Sequence, residues 1–107
     1  MANIINKGIR ARITIAGGNF ILGKEYTCTL YHGVKFPDGR ATVTAIAQEI
    51  TNADGVTKTA CVFVFEPEDT AKLKAGTVIL EVYDNGSLEQ MSFVENFATI
   101  RANSVSS

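Results

Sequence analysis

Short runs of β-forming residues alternate with turn residues along all 107 residues of this chain. The turns are marked by clusters such as Pro37-Asp38-Gly39, Asn52-Ala53-Asp54-Gly55 and Asp84-Asn85-Gly86. These residues accept positive φ or close turns through their side chains, and the runs between them are rich in Val, Ile, Thr, Phe and Tyr. The spacing is typical of one antiparallel all-β sandwich or barrel, and the length suits a single domain.

The pattern predicts six strands. They lie at 8–16, 25–31, 41–50, 58–65, 78–83 and 90–101, the last with an irregularity near Asn96. Asp54-Gly55 and Asn85-Gly86 are strong hairpin signals. The third and fourth strands, and the fifth and sixth, are therefore expected to be antiparallel neighbours.

Alternation in the first strand assigns its two faces. Ile9, Ala11, Ile13 and Ile15 are expected to face the core, and Arg10 and Arg12 to face solvent or a partner. The fourth strand does not alternate in this way, since Cys61, Phe63 and Phe65 on one side and Val62 and Val64 on the other are all apolar. Either a loop or helix of the chain covers its second face, or another subunit does. The second alternative makes Phe63 and Phe65 candidates for partner contact.

One segment departs from the β pattern and predicts a short helical turn over about residues 67–74. Pro67 suits a first helical position, Glu68 and Asp69 suit the first turn, and lysines and Gly76 follow at the end. Ala71 and Leu73 are expected on its inward side. The carboxylates of Glu66, Glu68 and Asp69 are therefore interpreted as helix-stabilising rather than as a paired-carboxylate catalytic site.

The residues that usually carry chemistry are scarce. The chain has one histidine, His32, two cysteines and no tryptophan. A structural zinc site needs four Cys or His ligands, and neither cysteine lies in a catalytic motif. We therefore expect no enzyme activity, no metal, no cofactor and no small-molecule substrate. Cys28 and Cys61 are expected to be free, buried thiols.

Charge is nearly balanced overall but unevenly distributed. The net charge of −1 and the pI near 5.7 disfavour nucleic-acid binding, and no stretch has the length and hydropathy of a membrane span or secretory signal. Lys7, Arg10, Arg12 and Lys24 all precede the first acid, so the first 24 residues sum to +4 and the rest to −5. This split is either the chance result of solvated strand faces or a basic edge that docks on an acidic neighbour. The polar tail, 102–107, is expected to fray without a partner.

The stretch from Phe63 to Tyr83 resembles the Ig-like β-sandwich modules of tailed-phage virions, notably the N-terminal domain of baseplate upper proteins. In those modules a strand leads into a short helical turn, here Glu68-Asp69-Thr70-Ala71 with Leu73 and Gly76, and then into a strand of the last hairpin. The likeness extends more loosely over most of the chain, including Gly23 to Tyr31. It implies a single Ig-like antiparallel β-sandwich over residues 1–107, and the residues themselves add to this a basic N-terminal segment and a short polar C-terminal tail.

The resemblance also implies a function. Because the related domains usually begin a longer chain, a free-standing module suits an auxiliary or decoration protein of the capsid, made in the host cytoplasm and bound in the virion to capsid or tail subunits or to further copies of itself. A tail or baseplate adaptor is one alternative. A host-glycan-binding module, with loops bearing Tyr31, His32 and residues 84–87, is another, and an enzyme using His32 is a distant third.

Overall fold

The computed structural model describes residues 3–17, 19–86 and 90–102, and within them the chain forms eight strands and one short helix. The strands are β1 (Asn3–Asn6), β2 (Ala11–Ala16), β3 (Glu25–Tyr31), β4 (Arg40–Ile46), β5 (Gln48–Thr51), β6 (Thr57–Phe65), β7 (Gly76–Asp84) and β8 (Gln90–Arg101). The helix, α1, spans Pro67–Thr70 between β6 and β7.

The strands form two sheets that pack face to face. The larger sheet has the order β1-β8-β7-β3-β4, and the smaller one has the order β2-β6-β5. This strand order can be compared with that of an immunoglobulin sandwich. Strands β8, β7 and β3 correspond to its strands G, F and C, and β2, β6 and β5 correspond to its strands B, E and D. The predicted all-β sandwich is confirmed, and its strand order has the Ig-like arrangement. The short strand β1 was not predicted, and it pairs with β8 in parallel rather than antiparallel fashion.

The core lies between the inner faces of the two sheets. On the smaller sheet Ile13 of β2 is paired with Phe63 of β6, and both side chains are buried. On the larger sheet alternate residues of β3 and β7 point inward, as the period of two requires. The fully buried side chains there include Tyr26, Cys28, Leu30, Val78, Leu80 and Val82.

Both predicted hairpins are present. In the β5–β6 turn the Asn52 side-chain oxygen accepts hydrogen bonds from the Asp54 and Val56 amides at 2.9 and 3.0 Å, and Gly55 adopts a φ of 81°. β7 and β8 are antiparallel neighbours, and the irregularity expected near Asn96 is a bulge in which Asn96 has a φ of 54°. Asparagine tolerates this left-handed conformation better than most residues.

The strand predicted at 41–50 is two strands in different sheets. The chain leaves the larger sheet after Ile46 and enters the smaller one at Gln48. At this corner the Ala47 amide donates to the Lys24 carbonyl and the Ala47 carbonyl accepts from the Gly23 amide, both at 2.9 Å. The sequence stays β-forming through the corner, so alternation gives no sign that the chain changes sheets.

The helical turn is shorter than predicted and presents a different residue to the core. α1 ends at Thr70 instead of reaching residue 74, and Thr70 is buried while Ala71 is exposed. Leu73 is fully buried, as expected. An Asp69 carboxylate oxygen accepts a hydrogen bond from the Glu66 amide at 3.0 Å, which gives this acid the helix-capping role that its position indicates.

Candidate functional site

A groove of about 460 Å³ separates β1, at the edge of the larger sheet, from β2, at the edge of the smaller one. Its lining is consecutive along both strands, over residues 3–6 and 9–15. Because side chains alternate along a strand, a consecutive lining means that the groove borders the backbone edge of each strand. Within the described part of the chain, neither edge is paired with a further strand on this side.

The groove is lined by both apolar and polar side chains, and isoleucines make up most of the apolar part. Ile4 and Ile9 are 54% and 50% exposed, whereas Ile15 and Phe97 are partly buried against the core. Ile9 was expected to face inward. It instead lies in the bend before β2 begins, where the alternation of β2 does not apply.

Of the four predicted basic residues, Arg10 and Arg12 line this groove, and Lys7 lies in the bend beside it. Lys7 and Arg10 belong to the bend between β1 and β2, and Arg12 is an exposed residue of β2. The Arg10 Nε donates to a Glu66 carboxylate oxygen at 2.8 Å. Arg12 makes no ion pair within 4.0 Å among the residues that the structure describes. The structure therefore brings Lys7, Arg10 and Arg12 together at one edge of the sandwich.

The fourth basic residue, Lys24, has a different place. It is absent from the groove lining, and its ammonium nitrogen lies 2.6 Å from a carboxylate oxygen of the buried Asp84. The other Asp84 oxygen accepts a hydrogen bond from the Gly86 amide at 2.8 Å. Lys24 thus neutralises a carboxylate that helps to shape the start of the β7–β8 connection.

Phe63 and Phe65 are core residues. Both side chains are 0% exposed, and on β6 they point toward the larger sheet. The other face of β6 carries Val62 and Val64, which are only partly buried. This corrects the prediction of a partner contact through the two phenylalanines, because their side chains have no surface left to offer. The sequence showed two apolar faces and could not tell which of them the larger sheet covers.

The loop residues of the glycan-binding alternative are not brought together. Asp84 pairs with Tyr26 at the start of β3, whereas Tyr31 and His32 lie at its end, five residues or about 16 Å along the strand. His32 is buried, and both of its ring nitrogens have partners within the chain. The Nε2 atom accepts from the Lys74 amide at 3.1 Å, and Nδ1 lies 2.8 Å from the Thr77 carbonyl oxygen. Ser87 lies outside the described residues.

A polar cluster on the outer face of the larger sheet was not predicted. A Glu81 carboxylate oxygen accepts hydrogen bonds from the Tyr83 hydroxyl at 2.7 Å and from the Gln90 amide at 2.6 Å. Burial opposes ionisation of Glu81, but these hydrogen bonds, one from Tyr31 and the charge of Arg40 outweigh it and lower the pKa of Glu81. Arg40 itself lies over the Tyr31 ring, 5.3 Å from its centroid. Contacts within the chain therefore already engage the Glu81 carboxylate oxygen and the Arg40 guanidinium.

The structure adds no other candidate for chemistry among residues 3–17, 19–86 and 90–102. It groups no three His, Cys, Asp or Glu side chains in a way that would hold a metal ion, and none of its helices has the length and hydropathy to cross a membrane. No protein-family model, curated protein or solved structure matches the chain. The best-defined candidate site is therefore the groove between β1 and β2, called the edge groove below, with its basic rim formed by Lys7, Arg10 and Arg12.

The charge of this site is visible in the sequence, but its shape is not. Lys7, Arg10 and Arg12 were found from the uneven charge distribution, whereas β1 and the apolar lining were missed. β1 has only four residues, and its one signal is the pair Ile4-Ile5. Its partners Ala98 to Arg101 lie more than ninety positions away, so local patterning gives no indication of this pairing.

Proposed function

We propose that this protein is a non-enzymatic structural component of a bacteriophage virion, and that it binds other virion subunits through the edge groove. An auxiliary or decoration protein of the capsid is the preferred role, with a tail or baseplate adaptor as the second. The phage context rests on the resemblance of Phe63 to Tyr83 to virion Ig-like modules. The mode of action rests on the groove.

The observation that carries the proposal is that unpaired strand edges, exposed aliphatic side chains and positive charge lie together at one edge of the sandwich. An unpaired strand edge presents free amide and carbonyl groups that a further strand can satisfy. Ile4 and Ile9 add apolar area that association would bury, and Arg12 adds a charge with no ion-pair partner among the described residues. Elsewhere in the described chain Asp69, Asp84 and Glu81 are already engaged, in a helix cap, an ion pair and a hydrogen-bonded cluster respectively.

The composition of purified phage particles tests this proposal. Particles are isolated from cells that carry the gene, capsids are separated from tails, and the chain is quantified in each fraction by immunoblotting. We expect it at a fixed copy number in one fraction, and the fraction distinguishes a capsid protein from an adaptor. Absence of the chain from intact particles, capsids and tails alike would overturn the proposal.

A charge variant tests the anchoring edge in the same assay. Replacing Lys7, Arg10 and Arg12 together by Ser should reduce incorporation about tenfold or more, because three favourable charges are removed from the contact. Replacing Lys35, Lys58 and Lys72 by Ser removes the same charge elsewhere and should leave incorporation unchanged. Equal incorporation of both variants would show that the basic edge is not the anchor.

A further inference from the structure

We propose that the groove between β1 and β2 accepts an extended segment of a partner protein, with alternating acidic and aliphatic residues, as an added β-strand. This inference rests on the proposed assembly role and names the chemistry of the occupant. It concerns one contact, so the chain can be a virion component even where this inference fails.

The geometry of the groove suits an extended peptide. β2 has six residues, which give an edge about 20 Å long, and β1 borders the opposite side of the groove over four residues. A strand laid against either edge would pair its backbone with groups that are unpaired in the described chain. Its alternate side chains would then reach Ile4 and Ile9, whose exposed surface an aliphatic residue can cover.

The groove is held in shape before any partner binds. The bend between its two strands contains Gly8, with a φ of 81°, and its amide donates to the Thr70 hydroxyl at 3.0 Å. The same hydroxyl lies 2.9 Å from the Ile9 carbonyl oxygen, to which it can donate. These two hydrogen bonds from Thr70 of α1 hold the bend between the two edges in place, and an ordered bend lowers the entropic cost of binding.

Charge selects an acidic occupant. Residues 3–16 contain Lys7, Arg10 and Arg12 and no acid, and only Arg10 among the three has an ion-pair partner in the described chain. A glutamate or aspartate at alternate positions of the added strand would face Arg12 across the groove. Opposite charges on neighbouring strands stabilise the pair, whereas like charges destabilise it.

The same charges disfavour a second copy of this chain as the occupant. A symmetric dimer through this edge would place each copy's basic rim against the other's, because a two-fold interface repeats the same patch on both sides. Natural sheets use charged residues on edge strands to prevent such self-pairing. An acidic partner avoids this repulsion, and the same positive charges attract it.

Binding of a defined peptide to the isolated protein tests the inference. The probe is a blocked heptapeptide in which glutamate alternates with isoleucine and valine. One control peptide carries lysine in place of glutamate, and another carries proline at two central positions, which removes amide donors needed for strand pairing. We expect the glutamate peptide alone to bind, with NMR shift changes and slowed amide exchange confined to β1 and β2.

Two charge variants complete the design. Arg12→Glu should weaken binding of the glutamate peptide about tenfold or more, and Lys58→Glu, an exposed residue of β6 outside the groove, should leave it unchanged. Circular dichroism confirms that each variant is folded. The inference is overturned if the glutamate peptide does not bind, if the lysine or proline peptide binds equally well, or if sedimentation shows that the protein alone dimerises through β1 and β2. Particle incorporation without peptide binding would leave the proposed function standing and remove only this inference.

Discussion

The Thr70 hydroxyl lies 3.0 Å from the Gly8 amide nitrogen, although the two residues are 62 positions apart in the chain. Gly8 sits where the chain passes from the larger sheet to the smaller one, and its positive φ is a conformation that glycine adopts at little cost. Thr70 is the last residue of α1 and is fully buried. The helical turn between β6 and β7 therefore also fixes the N-terminal bend beside the groove.

Removing this hydroxyl should destabilise the fold locally and globally. Thr70→Val keeps the shape of the side chain but leaves the Gly8 amide and the Ile9 carbonyl without their partner, at a cost of about 1–3 kcal/mol in the free energy of unfolding. Urea unfolding measures this cost, and amide exchange at Gly8 should accelerate. Thr70→Ser keeps the hydroxyl and should retain most of the stability.

The matched control is Thr44→Val on the exposed face of β4, which should change the free energy of unfolding by no more than about 0.5 kcal/mol. Equal effects of the two valine substitutions would contradict a special role for the Thr70 contact.

His32 should be a structural residue whose neutral ring has one fixed tautomer. Since the Lys74 amide donates to Nε2, the proton of the neutral ring must lie on Nδ1 and be donated to the Thr77 carbonyl. Nitrogen NMR of the imidazole should show this Nδ1–H form in the folded protein. His32→Phe keeps an aromatic ring against Phe36 but leaves the Lys74 amide unpaired, and should lower the free energy of unfolding by about 2 kcal/mol. An Nε2–H tautomer, or a phenylalanine variant as stable as wild type, would contradict this assignment.

The strands whose bounds are predictable from the sequence are those flanked by local turn signals. β3 and β8 were predicted with their observed bounds, because turn residues flank runs of β-forming residues at 25–31 and 90–101. Elements set by distant pairing were not predicted. β1 is defined by β8, and the corner at Ala47 is defined by backbone hydrogen bonds to Gly23 and Lys24.

The candidate site shows the same division. Charge is additive along the sequence, so the basic segment with Arg10 and Arg12 was visible. Burial depends on which face meets the second sheet, so Phe63 could not be assigned to the core before the packing was known. The groove arises only from the relative position of two edges, one of which belongs to an unpredicted strand.

Glu81 should contribute to stability at neutral pH and lose that contribution in acid. Its pKa in the folded protein is below the ordinary value of 4.5, chiefly because hydrogen bonds from Tyr83, Tyr31 and Gln90 outweigh the effect of burial. The stabilisation is therefore complete above about pH 4.5 and disappears as the pH falls through the lowered pKa. Urea unfolding of Glu81→Gln should show a shallower decline in stability over this acidic range than the wild type. The exposed Glu95→Gln on β8 is the control, and it should not flatten the decline as Glu81→Gln does.

The two cysteines should be unreactive thiols in the folded protein. Burial, and to a smaller degree the nearby Cys61, raises the pKa of Cys28 from 9.0 to about 12, and burial raises that of Cys61 to about 11. Both side chains are fully buried and neither forms a disulfide. Because the thiolate is the reactive form, Ellman's reagent at pH 8 should modify neither residue in the native state and both after unfolding in urea.

The raised pKa values also predict how stability depends on alkaline pH. Unfolded thiols lose their protons near pH 9, whereas the folded ones retain them to about pH 11 or 12, so the unfolded state binds fewer protons in that interval. The stability contributed by the neutral thiols is complete below pH 9 and is lost as the pH rises through the folded values. Tyr31, whose pKa burial and Glu81 raise to about 12, titrates in the same range. The difference between the free energies of unfolding of the wild type and Cys28→Ala isolates the contribution of the Cys28 thiol. If the free energy of unfolding of Cys28→Ala falls between pH 9 and 11 as steeply as that of the wild type, the buried, protonated state of the thiol is contradicted.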